Sequence, residues 1–234
     1  MSRLYKFHFD ETEAFLREIS SLEVPLLMDP DRHCFYLEND QQIALRLRLP
    51  LFFPNGENNE PLWHYLQRVE IPQELPNWNI LLMEAGRAAV GSVRAGVVDS
   101  HKNIRKYMVR KKSGKAQLTH LKTKGKSRYG SRLRLQESEA YFVEIIERLE
   151  QKPESESAFI FYHCPVRLKS FLDHAAVDCK FDMNKFQWRK LGVSIKECSF
   201  DELKRHGREP LYSRLMIEDE RSLELLPLIP EYKK

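Results

Sequence analysis

No two of the four cysteines, Cys34, Cys164, Cys179 and Cys198, stand at CxxC spacing, so neither a zinc knuckle nor a redox dithiol is indicated. No apolar run approaches the roughly 18 residues of a bilayer-spanning helix, and the opening MSRLYKFHFDETEAF lacks a signal-peptide core. The expectation is a cytoplasmic protein that does not engage a membrane. A third absence is local. From Ser100 to Gln136 there is no Asp or Glu, against thirteen Lys and Arg. The rest of the chain carries 25 basic and 34 acidic residues, so a net charge of +4 conceals a segment of +13. Without carboxylates that segment offers no hard oxygen ligands for a divalent cation, which argues against a metal-dependent nuclease, and no cofactor is expected. It also lacks the large apolar residues that would insert into a membrane.

What is present divides the 234 residues into two units. Residues 1–76 form a small N-terminal α+β unit. DETEAFLREISSL spaces its apolar residues as a helix capped by Asp10 or Thr12, CFYLEND and IALRLRLP alternate as strands, and FFPNGENNEP is a polar loop. The prolines of IPQELP place the boundary near Pro76. Residues 77–234 open with three β-type runs, NILLMEAG, RAAVGSVRAGVVDS and NIRKYMVRK, joined by turns at Gly86-Arg87 and near Ser100-His101. A basic loop over 110–132 follows, with a helix opening at Lys115 to Lys122. ESEAYFVEIIERLEQ then reads as the best helix, SAFIFYHC as a strand, PVRLKSFLDHA as a helix, GVSIKEC as a strand and SFDELKRHG as a helix between Ser199 and Gly207. The fold class is α/β of the mixed α+β kind: a mixed sheet flanked by helices. Trp63, Trp78 and Trp188 are expected as core or interdomain anchors. DHAAVDCKFD gathers Asp and His without the spacing of a metal loop, and His163 with Cys164 reads as a strand end, because strand neighbours point to opposite faces.

Thirteen cations on one segment repel each other until solvent or a polyanion relieves them. Lys, Arg, Ser and Thr are the usual phosphate donors, and Tyr107 and Tyr129 are placed to stack on bases, so nucleic acid fits best. Within the segment, Gly114 permits close backbone approach to a ligand. The Gln117 amide donates and accepts hydrogen bonds but does not titrate, so it is no general base; its part in any chemistry would be to orient a reacting group or bond developing charge, and taken alone it reads as a helix-surface glutamine.

The ordered run DSHKNIRKYMVRKKSGKAQLTHL…RYGSRLRLQESEAYF resembles the Vms-like release factor family, whose animal member is the ankyrin-repeat and zinc-finger peptidyl-tRNA hydrolase. These proteins carry a relative of the middle domain of eukaryotic and archaeal release factors. The likeness is strongest from Asp99 to Leu149 and looser from Asn77 to Lys204. It implies a release-factor-like domain that frees nascent chains from stalled large-subunit peptidyl-tRNA complexes. Release proceeds by ester hydrolysis or by tRNA cleavage near the CCA end. Gln117 matches the family's essential glutamine, with Gly114 and Ala116 positioning the loop. The implied RNA contacts are His101, Lys102, Arg105, Arg110, Lys111, Lys112, Lys115, Lys122, Lys124, Lys126, Arg128, Arg132 and Arg134. His101 and His120 are candidate proton carriers, though phosphate contact is the plainer role for each. Ordinary release factors have Gly-Gly-Gln where this sequence has Lys115-Ala116-Gln117, and it carries neither zinc finger nor ankyrin repeats. The implied partners are the ribosomal large subunit, peptidyl-tRNA and rRNA, engaged by a monomer. The alternative is a non-catalytic rRNA- or tRNA-binding accessory protein, for which Gln117 would be indifferent.

Overall fold

The β-strand IALRLR sets apolar and cationic residues alternately, so one face must meet a core and the other must not. The computed structural model describes residues 3–72, 74–106, 126–151 and 159–223, with backbone alone for 126–135. Contacts group the chain into two units: residues 1–75 with 209–234, and 76–208. No helix among the described residues is long and apolar enough to cross a membrane.

In the first unit, β1 (Arg3–His8), β2 (Leu27–Asp29), β3 (Cys34–Asn39), β4 (Gln42–Arg48) and β10 (Tyr212–Ile217) form one antiparallel sheet in the order β1-β10-β4-β3-β2. The helix α1 (Phe9–Ser21) buries Phe15, Leu16 and Ile19, and the Phe15 ring stacks on Phe7 of β1 at 4.5 Å. Its entry is capped at His8, whose backbone N–H donates to Glu11 at 3.0 Å; neither Asp10 nor Thr12 is the cap. A short helix, α2 (Leu62–Arg68), follows the stretch read as a loop. Its base is tied to the buried Glu60, which accepts from Arg68 Nε at 2.8 Å and from the Glu57 N–H at 2.9 Å and lies 2.8 Å from His64 Nδ1. The Arg68 hydrogen bond holds the Glu60 carboxyl at about 2, well below the ordinary carboxylate range.

Strand β10 departs from the sequence-based division at residue 76. It pairs with β1 on one side and β4 on the other, and Leu215 and Ile217 complete the core that Leu45 and Leu47 begin. Trp63 departs as well, being 56% exposed on α2.

In the second unit, β5 (Trp78–Glu84), β6 (Arg87–Arg94), β7 (Val97–Arg105), β8 (Phe159–His163) and β9 (Gln187–Lys190) lie in the order β7-β6-β5-β8-β9. The first three are antiparallel and β8 and β9 run parallel to β5, which makes the expected mixed sheet. The helices α3 (Lys126–Glu150), α4 (Val166–Asp178) and α5 (Phe200–His206) accompany it. Tyr141, Phe142, Ile145, Ile146 and Leu149 of α3 share one apolar core with Leu81, Val90 and Ile104 of the sheet and Leu172 of α4. Ser199 caps α5 through its hydroxyl, which accepts from the Glu202 N–H at 3.4 Å, and the Trp78 indole donates to the Gly207 carbonyl at 3.0 Å.

Three expectations change here. The β6–β7 turn falls at Ala95-Gly96, where both residues have positive φ (46° and 75°), so Ser100 and His101 lie within β7. The helix α3 starts at Lys126, which removes 126–132 from the basic loop. GVSIKEC forms no strand; the ladder beside β8 is supplied by Gln187–Lys190, which pairs from Phe159 to Tyr162.

Candidate functional site

The basic segment leaves the sheet at the end of β7 and returns to described structure at α3, so these two elements frame it. Both are tied to the same turn, between β5 and β6. The Lys106 N–H donates to the Gly86 carbonyl at 2.9 Å. From α3, the buried Tyr141 hydroxyl lies 2.7 Å from the carbonyls of both Glu84 and Arg87 and donates to that pair. Burial raises the Tyr141 pKa, so the phenol keeps its proton. Ile104 of β7 sits in the core against this part of α3. Replacing Tyr141 with Phe removes the one donor while leaving the ring in place. We expect a stability loss of about 1–2 kcal/mol, read as a lower urea midpoint at unchanged slope.

Between β7 and α3 lies an open cleft of about 580 Å³, lined by Lys102, Lys106, Glu144, Glu147 and Arg148 among others. Glu144 pairs with Lys106 Nζ at 3.2 Å and Lys102 Nζ at 3.8 Å. Cations and carboxylates therefore neutralise one another along this wall, and the surplus positive charge lies beyond Lys106. The sequence carries no direct sign of Tyr141 or Glu144 as framing residues. Their signal is a hydroxyl and a carboxylate set into an otherwise apolar helix, each requiring a partner.

The residues expected to contact RNA separate. Lys102 points to the α3 side of the sheet. His101 lies on the opposite face, stacked on Phe200 of α5 with ring centroids 4.0 Å apart at 14°. Its cross-strand partner Gly91 explains the fit, since a Cβ there would lie 3.3 Å from Leu203 of α5. Arg105 is exposed and follows His101 in the strand alternation. His101 and Lys102 accordingly do not line one site. Lys126, Arg128, Arg132 and Arg134 all lie on the first nine residues of the α3 helix. Arg110, Lys111, Lys112, Gly114, Lys115, Ala116, Gln117, His120, Lys122 and Lys124 lie outside the described residues.

The other groups singled out in the sequence are the cysteines and the Asp and His of DHAAVDCKFD. Burial pushes the Cys164 thiol up to about 11 and the Cys198 thiol up to about 12, so neither is a thiolate nucleophile near neutral pH. No group of His, Cys, Asp and Glu among the described residues could hold a metal ion. Asp173 instead pairs with Lys169, one helical turn earlier.

Against this geometry, a family model described as Bacteroidetes VLRF1 release factor matches residues 78–216, well over half of the chain. The match covers every element of the second unit and runs on through most of β10. The comparison with curated proteins gave no match.

Proposed function

The chain belongs to the Bacteroidetes VLRF1 release factor family, and on that premise we propose that it frees nascent chains from peptidyl-tRNA held on stalled ribosomal large subunits. The family match carries this reading. Two further observations support it: the +13 segment, which suits an rRNA-lined route, and the anchoring of Lys106 and Tyr141 to one turn. The Lys106 bond holds the end of β7, where the segment leaves the sheet, and the Tyr141 bonds hold the body of α3, the helix that follows the segment, against the same turn.

Gln117 is the residue at the reacting centre, with Gly114 and Ala116 shaping the backbone around it. Two reactions fit a glutamine that orients without titrating. In ester hydrolysis, water oxygen bonds to the carbonyl carbon, the bond to the tRNA ribose oxygen breaks, and that oxygen takes a proton; Gln117 holds the water and bonds the oxyanion. In strand cleavage, a ribose 2′-oxygen bonds to phosphorus, the bond to the 5′-oxygen breaks, and the leaving oxygen takes the proton. Here the cations of Arg110, Lys111, Lys112 and Lys115 stabilise the charge on phosphorus. Lys115 stands where ordinary release factors have glycine and sets a positive charge beside Gln117, which favours the phosphate-directed reaction. Sequencing the 3′ end of the tRNA product decides between them. A product lacking its CCA end is expected, and an intact CCA end would assign ester hydrolysis instead.

A further inference from the structure

The first unit's sheet has a second face, turned away from α1, and its side chains follow from the register. Lys6 of β1, Arg214 of β10 and Arg48 of β4 are successive cross-strand partners, so they form one row on one face. The next row, two residues along, runs Leu4, Met216, Arg46 and Tyr36. Four cations thus occupy neighbouring positions on three adjacent strands. Lys6, Arg46 and Arg214 keep 39%, 33% and 32% of their side-chain surface exposed.

Carboxylates on this face are fewer than the cations: beyond Arg48 the row continues through Cys34 to Asp29, which is paired with Arg32 at 3.6 Å. Glu209 serves both Lys6, at 3.2 Å, and Arg214. Glu218 lies 3.7 Å from one nitrogen of Arg46, whose Nε makes no hydrogen bond although it is buried. Arg48 makes no direct ion pair among the described residues; burial followed by the Arg214 charge lowers its pKa, against a partly offsetting pull from the more distant Glu209. Like charges directly opposite on neighbouring strands are destabilising. Across from Arg48 the register sets Arg214 on one side and Cys34 on the other, with an acid at neither position.

We propose that this outer face of the first unit's sheet binds an RNA backbone, with Arg48 and Arg214 taking phosphate oxygens and Lys6 and Arg46 flanking them. Guanidinium groups present planar forks that match phosphate, and a sheet holds two such forks at a fixed separation, since cross-strand neighbours stand about 5 Å apart at Cβ. Tyr36, in the second row, keeps its hydroxyl on Asn59 at 2.8 Å and presents its ring at the edge of the patch. The choice of RNA over another polyanion rests on the release-factor reading; the cation surplus does not depend on it.

The test uses the full chain and a fluorescein-labelled single-stranded RNA oligonucleotide, with binding followed by anisotropy across a salt series. Arg48→Gln should weaken binding about three- to tenfold and lower the slope of log affinity against log salt by about 0.7, the share of one phosphate contact. Its unfolding midpoint should stay the same or rise, because a like-charge opposition is relieved. Arg48→Lys should keep most of the slope. Arg17→Gln, on the exposed side of α1 where Arg17 pairs with Glu13, should change neither. Unchanged affinity and slope in Arg48→Gln would overturn the proposal, as would an affinity loss accompanied by a lower unfolding midpoint. Competition by polyglutamate as effective as by unlabelled RNA would overturn the assignment to RNA. Release is not read in this experiment, so a failure of this surface and a failure of the release activity are separate results.

Discussion

Raising salt from 50 to 200 mM should weaken association of the chain with large subunits by about 10³- to 10⁵-fold, if six to ten of its cations contact phosphates. The segment from Ser100 to Gln136 supplies thirteen cations and no acid. Lys102 and Lys106 already share Glu144, so those two contribute least. Of the remaining eleven, only those at the end of the segment stand near an acid, Arg134 being three residues from Glu137, and each that meets a phosphate displaces condensed counterions. Neutralising Lys111, Lys112 and Lys115 together to Gln should reduce the slope of log affinity against log salt by about 2, at about 0.7 for each contact in single-stranded regions. Co-sedimentation with purified large subunits across a salt series measures both quantities. A slope near zero would mean that the segment does not meet RNA backbone.

Replacing Gln117 with Ala should slow release by about 100- to 1,000-fold, the usual loss when one donor to developing charge is removed, or about 2.7–4 kcal/mol. Association should remain within about twofold, because the substitution leaves every cation in place. The two readings of the loop separate on this split. A catalytic loop loses rate and keeps binding, whereas a merely gripping loop loses neither. Gln117→Glu tests the reason for an amide. It keeps the size but adds a negative charge beside phosphates and loses the donor, so it should be at least as slow as Ala.

Much of the second unit was legible in its sequence because its contacts are local. The strands β5 and β6 meet across Gly86, and α3 shows its apolar face in every turn from Tyr141 to Leu149. The misplaced turn at Ala95-Gly96 has a specific cause. An Ala at φ 46° is unusual, and the longer apolar stretch around it reads as one continuous strand. The start of α3 was hidden by composition: Lys, Arg and Leu are good helix formers, but Gly130 and the density of charge resemble a loop. Strands β1 and β10 were not legible, because Phe7 finds Ser213 across 206 residues and neither segment announces its partner. For the same reason the cationic row of Lys6, Arg214 and Arg48 exists only in the register, while the sequence shows three unrelated basic residues. The role proposed for Gln117 rests on the resemblance and on its neighbours in sequence, while β7, Tyr141 and the β5–β6 turn belong to the elements on either side of the basic segment.

The account stands most directly on one measurement. Purified large subunits carrying a labelled nascent chain on tRNA are mixed with excess chain at low salt, and peptidyl-tRNA is followed through a single turnover. The account predicts that the labelled peptide leaves the tRNA with wild-type chain and stays attached with Gln117→Ala, although both proteins co-sediment with the subunit. Peptidyl-tRNA that stays intact under bound wild-type chain, or release that proceeds equally well without Gln117, would contradict it.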